Sequence, residues 1–332
     1  LKADNIHLWA ETVISPIFKY LVFYFIAYNM VLRNGFKRYL NTMFWGIIIL
    51  IPLALYVDFF TDIDFFYRTN DRGDLAGFAI VFLIGILFIN EYKLYKKVFS
   101  IFGIIGGITA FILTYSRGAT LGLIACIYVL LIAVIWKNYR NKFSKELLVS
   151  IIIGTLLLAL ILTPIVLPDR IINRFKRISD IDSSWSLKGR LLMWKSSLLM
   201  IKNNPILGIG LGNFNSQFIY YVDNVFEVDM PKSMRWHNKP HNLFLYIAAE
   251  QGIISLLLFL GMYYKTFVLS LKNYFKGKKE WQNMLGFMLL GILVINFFHS
   301  FVDTCMLYGN VGYFLILIFV FNVYSSDNKS QK

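Results

Sequence analysis

The chain has 332 residues, of which 58% are hydrophobic and only 16% are charged. Soluble domains carry roughly 25% charged residues, and about 20 consecutive apolar residues suffice to cross a bilayer, so the composition excludes a soluble globular protein and predicts a polytopic membrane protein. The net charge of +14 is better explained by basic cytoplasmic loops than by nucleic acid as a partner.

The chain opens on Leu1 rather than Met, and its first residues do not form a signal peptide. We therefore expect it to begin partway through a longer protein. Nine apolar runs follow, and each is predicted to be a helix, because a lipid-exposed segment must satisfy its own backbone hydrogen bonds. The runs lie near 14–32, 42–60, 76–90, 98–116, 118–136, 147–167, 242–264, 283–300 and 309–324.

The charge of the connecting segments alternates along the chain. Every second connecting segment is basic, and the segment 265–279 is one of these. Together the basic segments hold 17 Lys and Arg residues. The short segments between them, 1–13, 61–75 and 301–308, hold three basic and seven acidic residues. The positive-inside rule then places the basic segments and the C-terminus in the cytoplasm, and the N-terminus and the long segment 168–241 outside.

The segment 168–241 is where we expect the chemistry. Its 11 basic and six acidic residues give a net charge of +5, which suits an anionic substrate such as a pyrophosphate; contact with anionic lipid headgroups is the alternative. It separates N-terminal transmembrane helices (1–167) from C-terminal transmembrane helices and a cytoplasmic tail (242–332). Within it, Trp185 to Asn203 is predicted to form an amphipathic helix on the membrane surface. Its apolar positions are Leu187, Leu191, Trp194, Leu198 and Ile201.

Arg117 lies where runs 98–116 and 118–136 meet with almost no loop, which predicts a place at the outer membrane boundary. The following Gly118 permits a tight turn. The guanidinium offers a two-point grip on phosphate oxygens, whereas an arginine that snorkels to the headgroups is the alternative.

His241 follows Pro240 at the entrance to the next apolar run. The positive end of the helix dipole disfavours an imidazolium there, so a neutral His241 can accept a proton, as a general base must. A structural histidine is the alternative. His237 is a weaker candidate, and His299 is interpreted as a packing or interface residue.

Two further sequence patterns are of kinds that can bind a phosphate or a metal ion, but neither is predicted to bind a ligand here. The sequence Gly-Ile-Gly-Leu-Gly over 208–212 is like a phosphate loop, but no Gly-Lys-Ser/Thr follows it, so a tight turn is predicted. The Asp-x-Asp triplets at 62–64 and 180–182 are of a kind that can bind a metal. Three-residue patterns are common by chance, and we predict no metal site.

Three of these segments together resemble the O-antigen ligase and polymerase family, over roughly residues 60–320. Their order, spacing and shared outer location carry the resemblance. The segments are Thr114-Tyr115-Ser116-Arg117-Gly118-Ala119, then Gly189-Arg190-x-x-x-Trp194 with Asn204 to Phe214, and finally Pro240 to Tyr246 with Gly252.

The resemblance implies an all-α, GT-C-like membrane glycosyltransferase of the inverting, metal-independent kind that needs no cofactor. The donor would be a glycan on undecaprenyl pyrophosphate, and the acceptor lipid A–core or another lipid-linked glycan, at the outer face of the bacterial inner membrane. Arg117 and Arg190 would hold the pyrophosphate, and His241 would activate the acceptor hydroxyl or assist the leaving group. The family's ligases usually have more than nine helices, so the first few are expected to be missing here. Supporting residues would be Ser116, Asn242, Trp194 and Arg72.

Three functions remain open. The chain is a ligase, a polymerase of O-antigen, capsule or exopolysaccharide repeats, or a non-enzymatic transporter of lipid-linked glycans. A transporter should place charges along a path through the bilayer, whereas few charges lie within the apolar runs. The sequence does not separate ligase from polymerase.

Overall fold

A computed structural model describes residues 36–60, 69–139, 185–230 and 239–304, together with Val22, Tyr24 and Asn29. Over the four continuous ranges the chain forms eight helices and no strand, which confirms the predicted all-α class there. The helices are α1 (Phe36–Phe60), α2 (Thr69–Leu87), α3 (Leu94–Thr114), α4 (Arg117–Tyr139), α5 (Trp185–Asn203), α6 (Phe214–Asn224), α7 (Leu243–Lys276) and α8 (Glu280–His299).

Five of these helices, α1, α3, α4, α7 and α8, are long and apolar enough to cross a membrane. Helix α2 is not among them, because its first turns carry Asp71, Arg72 and Asp74. Three of the predicted runs lie wholly or almost wholly outside the described residues, so nine spans stay a prediction. Those runs are 14–32, 147–167 and 309–324.

Two predicted loops are wrong in part, because helices continue beyond the ends of their apolar runs. Residues 69–75, assigned to an outer loop, form the first turns of α2. Helical structure is tolerated there because buried Asp74 is paired with His299 at the end of α8, at 2.6 Å. Residues 265–276, assigned to a basic loop, extend α7.

The extension of α7 is held by close packing on α8. A Cβ on Gly286 of α8 would lie 2.3 Å from the backbone nitrogen of Tyr274 on α7. Small residues at a crossing let two membrane helices approach this closely. The polar residues of the extension therefore turn inward at the contact, where Ser270 and Asn273 are buried.

Helix α8 is the centre of the bundle and packs against α2, α4 and α7. Its Leu290 and Ile295 are fully buried, as is Phe78 of α2. Helix α4 approaches through Gly122, where a Cβ would lie 2.5 Å from the carbonyl oxygen of Ile295. This packing holds the last residues of α8 against the first residues of the other three helices.

The bundle has two chemically different ends. At one end Lys137 donates from Nζ to the carbonyl oxygen of Tyr274 at 2.7 Å, and Lys96 donates to Asn41. Segments predicted to be cytoplasmic by their charge meet at this end. At the opposite end the starts of α2, α4 and α7 meet the end of α8, where the Leu243 N–H donates to Ser300 at 2.9 Å.

Helix α5 has the predicted bounds, but its buried side is not the predicted apolar stripe. Leu192, Met193 and Met200 are buried in a small core with α6 and Ala249 of α7. Leu198, from the predicted stripe, is 57% exposed. The stripe was assigned to membrane contact, and that contact stays a prediction.

Helix α7 is broken at Gly252, whose φ of 84° and ψ of 170° are not helical. The break frees the carbonyl groups of Ala249 and Glu250, which accept the N–H groups of Ile209 at 2.9 Å and Gly210 at 3.0 Å. The glycine-rich segment between α5 and α6 thereby fixes the first turns of α7.

Candidate functional site

His241 lies immediately before α7, at the end of the bundle where the helix termini meet. Its φ of 49° is left-handed, which is uncommon for any residue with a Cβ and marks a constrained position. The following Asn242 caps α7, since its Oδ1 accepts the N–H of Leu245 at 3.0 Å. The Leu243 bond to Ser300 ties this cap to the end of α8. The turn therefore directs His241 towards the residues that follow α8.

Asp303 is the charged partner of His241. Its Oδ1 lies 3.6 Å from His241 Nδ1 and accepts the N–H of Thr304 at 2.6 Å. Burial would raise the pKa of Asp303, but the contact with His241, the Thr304 N–H and the charge of His299 together lower that pKa to about 2. Asp303 is therefore a carboxylate at physiological pH, and it favours a proton on Nδ1 of His241.

Asn70 joins this pair to the segment before α4. Its Nδ2 donates to Oδ2 of Asp303, and its Oδ1 accepts the hydroxyl of Ser116 at 2.8 Å. Ser116 in turn accepts the N–H of Ala119 at 3.3 Å, in the first turn of α4. Ser116, predicted as a supporting residue, is thus brought to the site by a residue that the sequence analysis assigned to a loop.

Helix α5 supplies the other predicted side chains, one turn apart. Arg190 donates from Nη1 to the carbonyl oxygen of Val302 at 3.2 Å, and Trp194 donates from Nε1 to that of Pro240 at 2.8 Å. Val302 precedes Asp303, and Pro240 precedes His241. The two bonds therefore place α5 across both members of the His–Asp pair. The Val302 bond uses one of the five N–H donors of a guanidinium.

Arg117 is the first residue of α4, and it is exposed. The predicted tight turn is present, but it is made by Tyr115, whose left-handed φ of 48° ends α3. Gly118, to which the turn was assigned, is the second residue of α4. The flanking Ser116 and Gly118 are buried, with Gly118 against the ring of His299. The backbone of Arg117 is thus fixed beside the site, while its contact with a pyrophosphate stays a prediction.

The remaining predicted residues are peripheral or lie outside the described residues. Arg72 is half-buried on α2, two positions from Asn70. His237 and both Asp-x-Asp triplets belong to stretches outside the described ranges. Within those ranges, no group of three or more His, Cys, Asp or Glu side chains is arranged to hold a metal ion.

The glycine-rich segment 208–212 is a turn, as predicted, and its amides face the protein. Besides the two that bind carbonyl groups of α7, the N–H groups of Gly212 and Phe214 bind the buried carboxylate of Glu250. These groups are consequently unavailable to a phosphate. The segment supports α7 rather than binding a ligand.

Four residues at this end were not predicted from the sequence as parts of the site. Asp74 and Asp303 were counted only as charges of loops, and His299 was interpreted as a packing residue. His299 is indeed buried, but it is paired with Asp74. The available signal was position: each lies at a helix end on the same predicted face as His241. The four are Asn70, Asp74, His299 and Asp303.

The arrangement is suited to proton removal from a hydroxyl beside an anion. With Asp303 favouring the tautomer protonated on Nδ1, Nε2 of His241 is left to accept a proton. An arginine held next to the pair offers planar donors to a phosphate group. A histidine beside a carboxylate can take up a proton, and an arginine beside them can contact an anionic group.

One known protein family matches part of the chain. Residues 101–260 match the model of a family described as O-antigen ligase, a stretch that contains Arg117, Arg190 and His241. No curated protein matches the chain. Together with the apolar helices, this match identifies residues 101–260 as an O-antigen ligase domain within a membrane protein.

Proposed function

We propose that this chain transfers a glycan from undecaprenyl pyrophosphate to lipid A–core. The observation that carries the proposal is the contact of His241 with Asp303, 3.6 Å apart, bracketed by the α5 bonds from Arg190 and Trp194. The match of residues 101–260 to the O-antigen ligase family supports lipid-linked glycans as the substrates.

In the proposed reaction, Nε2 of His241 accepts the proton of the acceptor hydroxyl. The oxygen forms a bond to the anomeric carbon of the donor, while the bond from that carbon to the pyrophosphate oxygen breaks, with inversion. Undecaprenyl pyrophosphate leaves with the bonding electrons, and Arg117 and Arg190 stabilise its charge. Asp303 stabilises the imidazolium that forms. The positive end of the α7 dipole would by itself destabilise that imidazolium.

We place the site on the outer face of the inner membrane, since the opposite end of the bundle carries Lys96 and Lys137. A single cysteine at exposed Ser216 on α6 is expected to react with an impermeant thiol reagent in intact spheroplasts. A cysteine at Asn141 should react only after lysis. Both are placed in a background without Cys126 and Cys305. The reverse labelling pattern would invert the topology and refute an outer site.

The donor side is tested with full-length purified protein, lipid-linked glycan and lipid A–core. We expect transfer by the wild type and a weaker donor interaction in Arg117→Lys, because lysine keeps the charge but loses the planar fork. A hydrogen bond to a charged group contributes about 1.5–3 kcal/mol, so KM for the donor should rise about ten- to hundredfold. Arg38→Lys, at the far end of the bundle, is the matched control.

The same assay separates the competing functions. Product on a second lipid-linked glycan, with none on lipid A–core, would make the chain a polymerase. An unchanged donor KM in Arg117→Lys would leave Arg117 as an anchor at the membrane edge. The transport hypothesis gains no support from α4 and α8, whose described buried side chains carry no charge before His299.

A further inference from the structure

His299 and Asp74 form a buried pair behind the site, and the proposed chemistry does not use them. The side chain of His299 is 2% exposed and that of Asp74 fully buried, with Nδ1 and Oδ1 2.6 Å apart. The two residues join α8 to α2 across 225 positions of sequence. Desolvating such a pair is unfavourable, so its presence at this junction calls for a role.

The ring of His299 rests on the first turn of α4. A Cβ on Gly118 would lie 2.1 Å from Cδ2 and 2.4 Å from Nε2 of that ring. The imidazole therefore touches backbone directly after Arg117. Its orientation is fixed from the other side by Asp74.

The backbone of His299 organises the residues that the site uses. Its carbonyl oxygen accepts the N–H groups of Val302 at 2.9 Å and Asp303 at 3.0 Å. The carbonyl oxygen of Val302 accepts the hydrogen bond from Arg190, and the carboxylate of Asp303 lies 3.6 Å from His241. Through its ring and its carbonyl, His299 thus contacts α2, the start of α4 and the residues that follow α8.

We propose that His299 and Asp74 are positioning residues, which hold Asp303, and through it His241, in register with the start of α4. The inference rests on the proposed function, in which His241 is the base. Neither residue touches substrate. Their loss is expected to misplace the catalytic pair, and a displacement of about 1 Å costs about 10²-fold in rate.

The test is a double-mutant cycle in the full-length protein, with glycan transfer as readout. His299→Asn keeps an N–H near the place of Nδ1 for Asp74 but removes the ring from Gly118. We expect kcat to fall about 10²-fold with an unchanged KM for the donor. In an Asp303→Asn background the same change should lower kcat by less than about twofold, because the group that it positions is already inactivated.

Asp74→Asn, which preserves shape, is expected to repeat both results. Ser270→Ala, a buried polar change at the far end of α7, is the control and should leave kcat within about twofold. Equal losses from His299→Asn in both backgrounds, or no loss in either, would overturn the positioning role. So would failure of both His299→Asn and Asp74→Asn to fold, since the pair would then serve folding alone. A wild-type protein without transfer is a distinct outcome, which refutes the proposed function as well.

Discussion

Replacing His241 with alanine is expected to lower glycan transfer by about 10²–10⁴-fold, the usual contribution of general acid–base catalysis. Donor binding should be largely kept, because the proposed pyrophosphate contacts come from Arg117 and Arg190. The measurement is transfer in vitro from purified lipid-linked donor to acceptor, with donor binding determined separately on the same preparation.

The left-handed backbone of His241 calls for a second variant. Alanine is strained at a φ of 49°, whereas asparagine tolerates this conformation, so His241→Asn removes the imidazole with less disturbance of the turn. Both variants should lose transfer alike, and His237→Ala should not. A variant that retains more than about a tenth of the wild-type rate would have lost less than the 10²–10⁴-fold that a general base contributes. That result would remove His241 from the mechanism. Loss of donor binding would reassign it to the pyrophosphate site.

The second large effect is expected at Gly252, on the stability of the fold. A Cβ there would lie 1.8 Å from the carbonyl oxygen of Ile206, a backbone atom that cannot rotate away. The conformation, φ 84° and ψ 170°, is also one that only glycine adopts readily. Backbone strain and overpacking together should make Gly252→Ala destabilising by roughly 2–6 kcal/mol, a large part of the stability of an ordinary domain.

Two measurements in detergent test this effect: the melting temperature from thermal unfolding, and monodispersity from size-exclusion chromatography. Gly261→Ala is the matched control on the same helix, because a Cβ there meets nothing within 4 Å. We expect a sharply lower melting temperature, or loss of monodisperse protein, for Gly252→Ala alone. Equal melting of the two variants would mean that the glycine-rich segment does not hold the first turns of α7 in place.

The helices and the chemical residue types could be predicted from the sequence, because both are encoded locally. An apolar run of sufficient length must be helical in lipid whatever surrounds it, and α3, α4 and α8 follow their runs within a few residues. The spacing of apolar residues likewise predicts α5 with its bounds. His241 and Arg190 stood out because their neighbours in sequence form motifs.

The tertiary structure decided which residues meet, and this depends on packing between distant segments. Asn70 binds Asp303 across 233 positions, and nothing in the local sequence of either residue indicates the other. The buried side of α5 likewise could not be predicted from its sequence. Apolar residues lie all around this helix, and packing against neighbouring helices decides which of them are buried. The polar first turns of α2 are helical for a related reason: Asp74 is satisfied by His299, a partner that hydropathy does not reveal. The sequence thus determined a bundle of membrane helices with a histidine and arginines near the end that its charge pattern predicts to lie outside. Only the fold, by bringing helix termini together, placed a carboxylate 3.6 Å from that histidine.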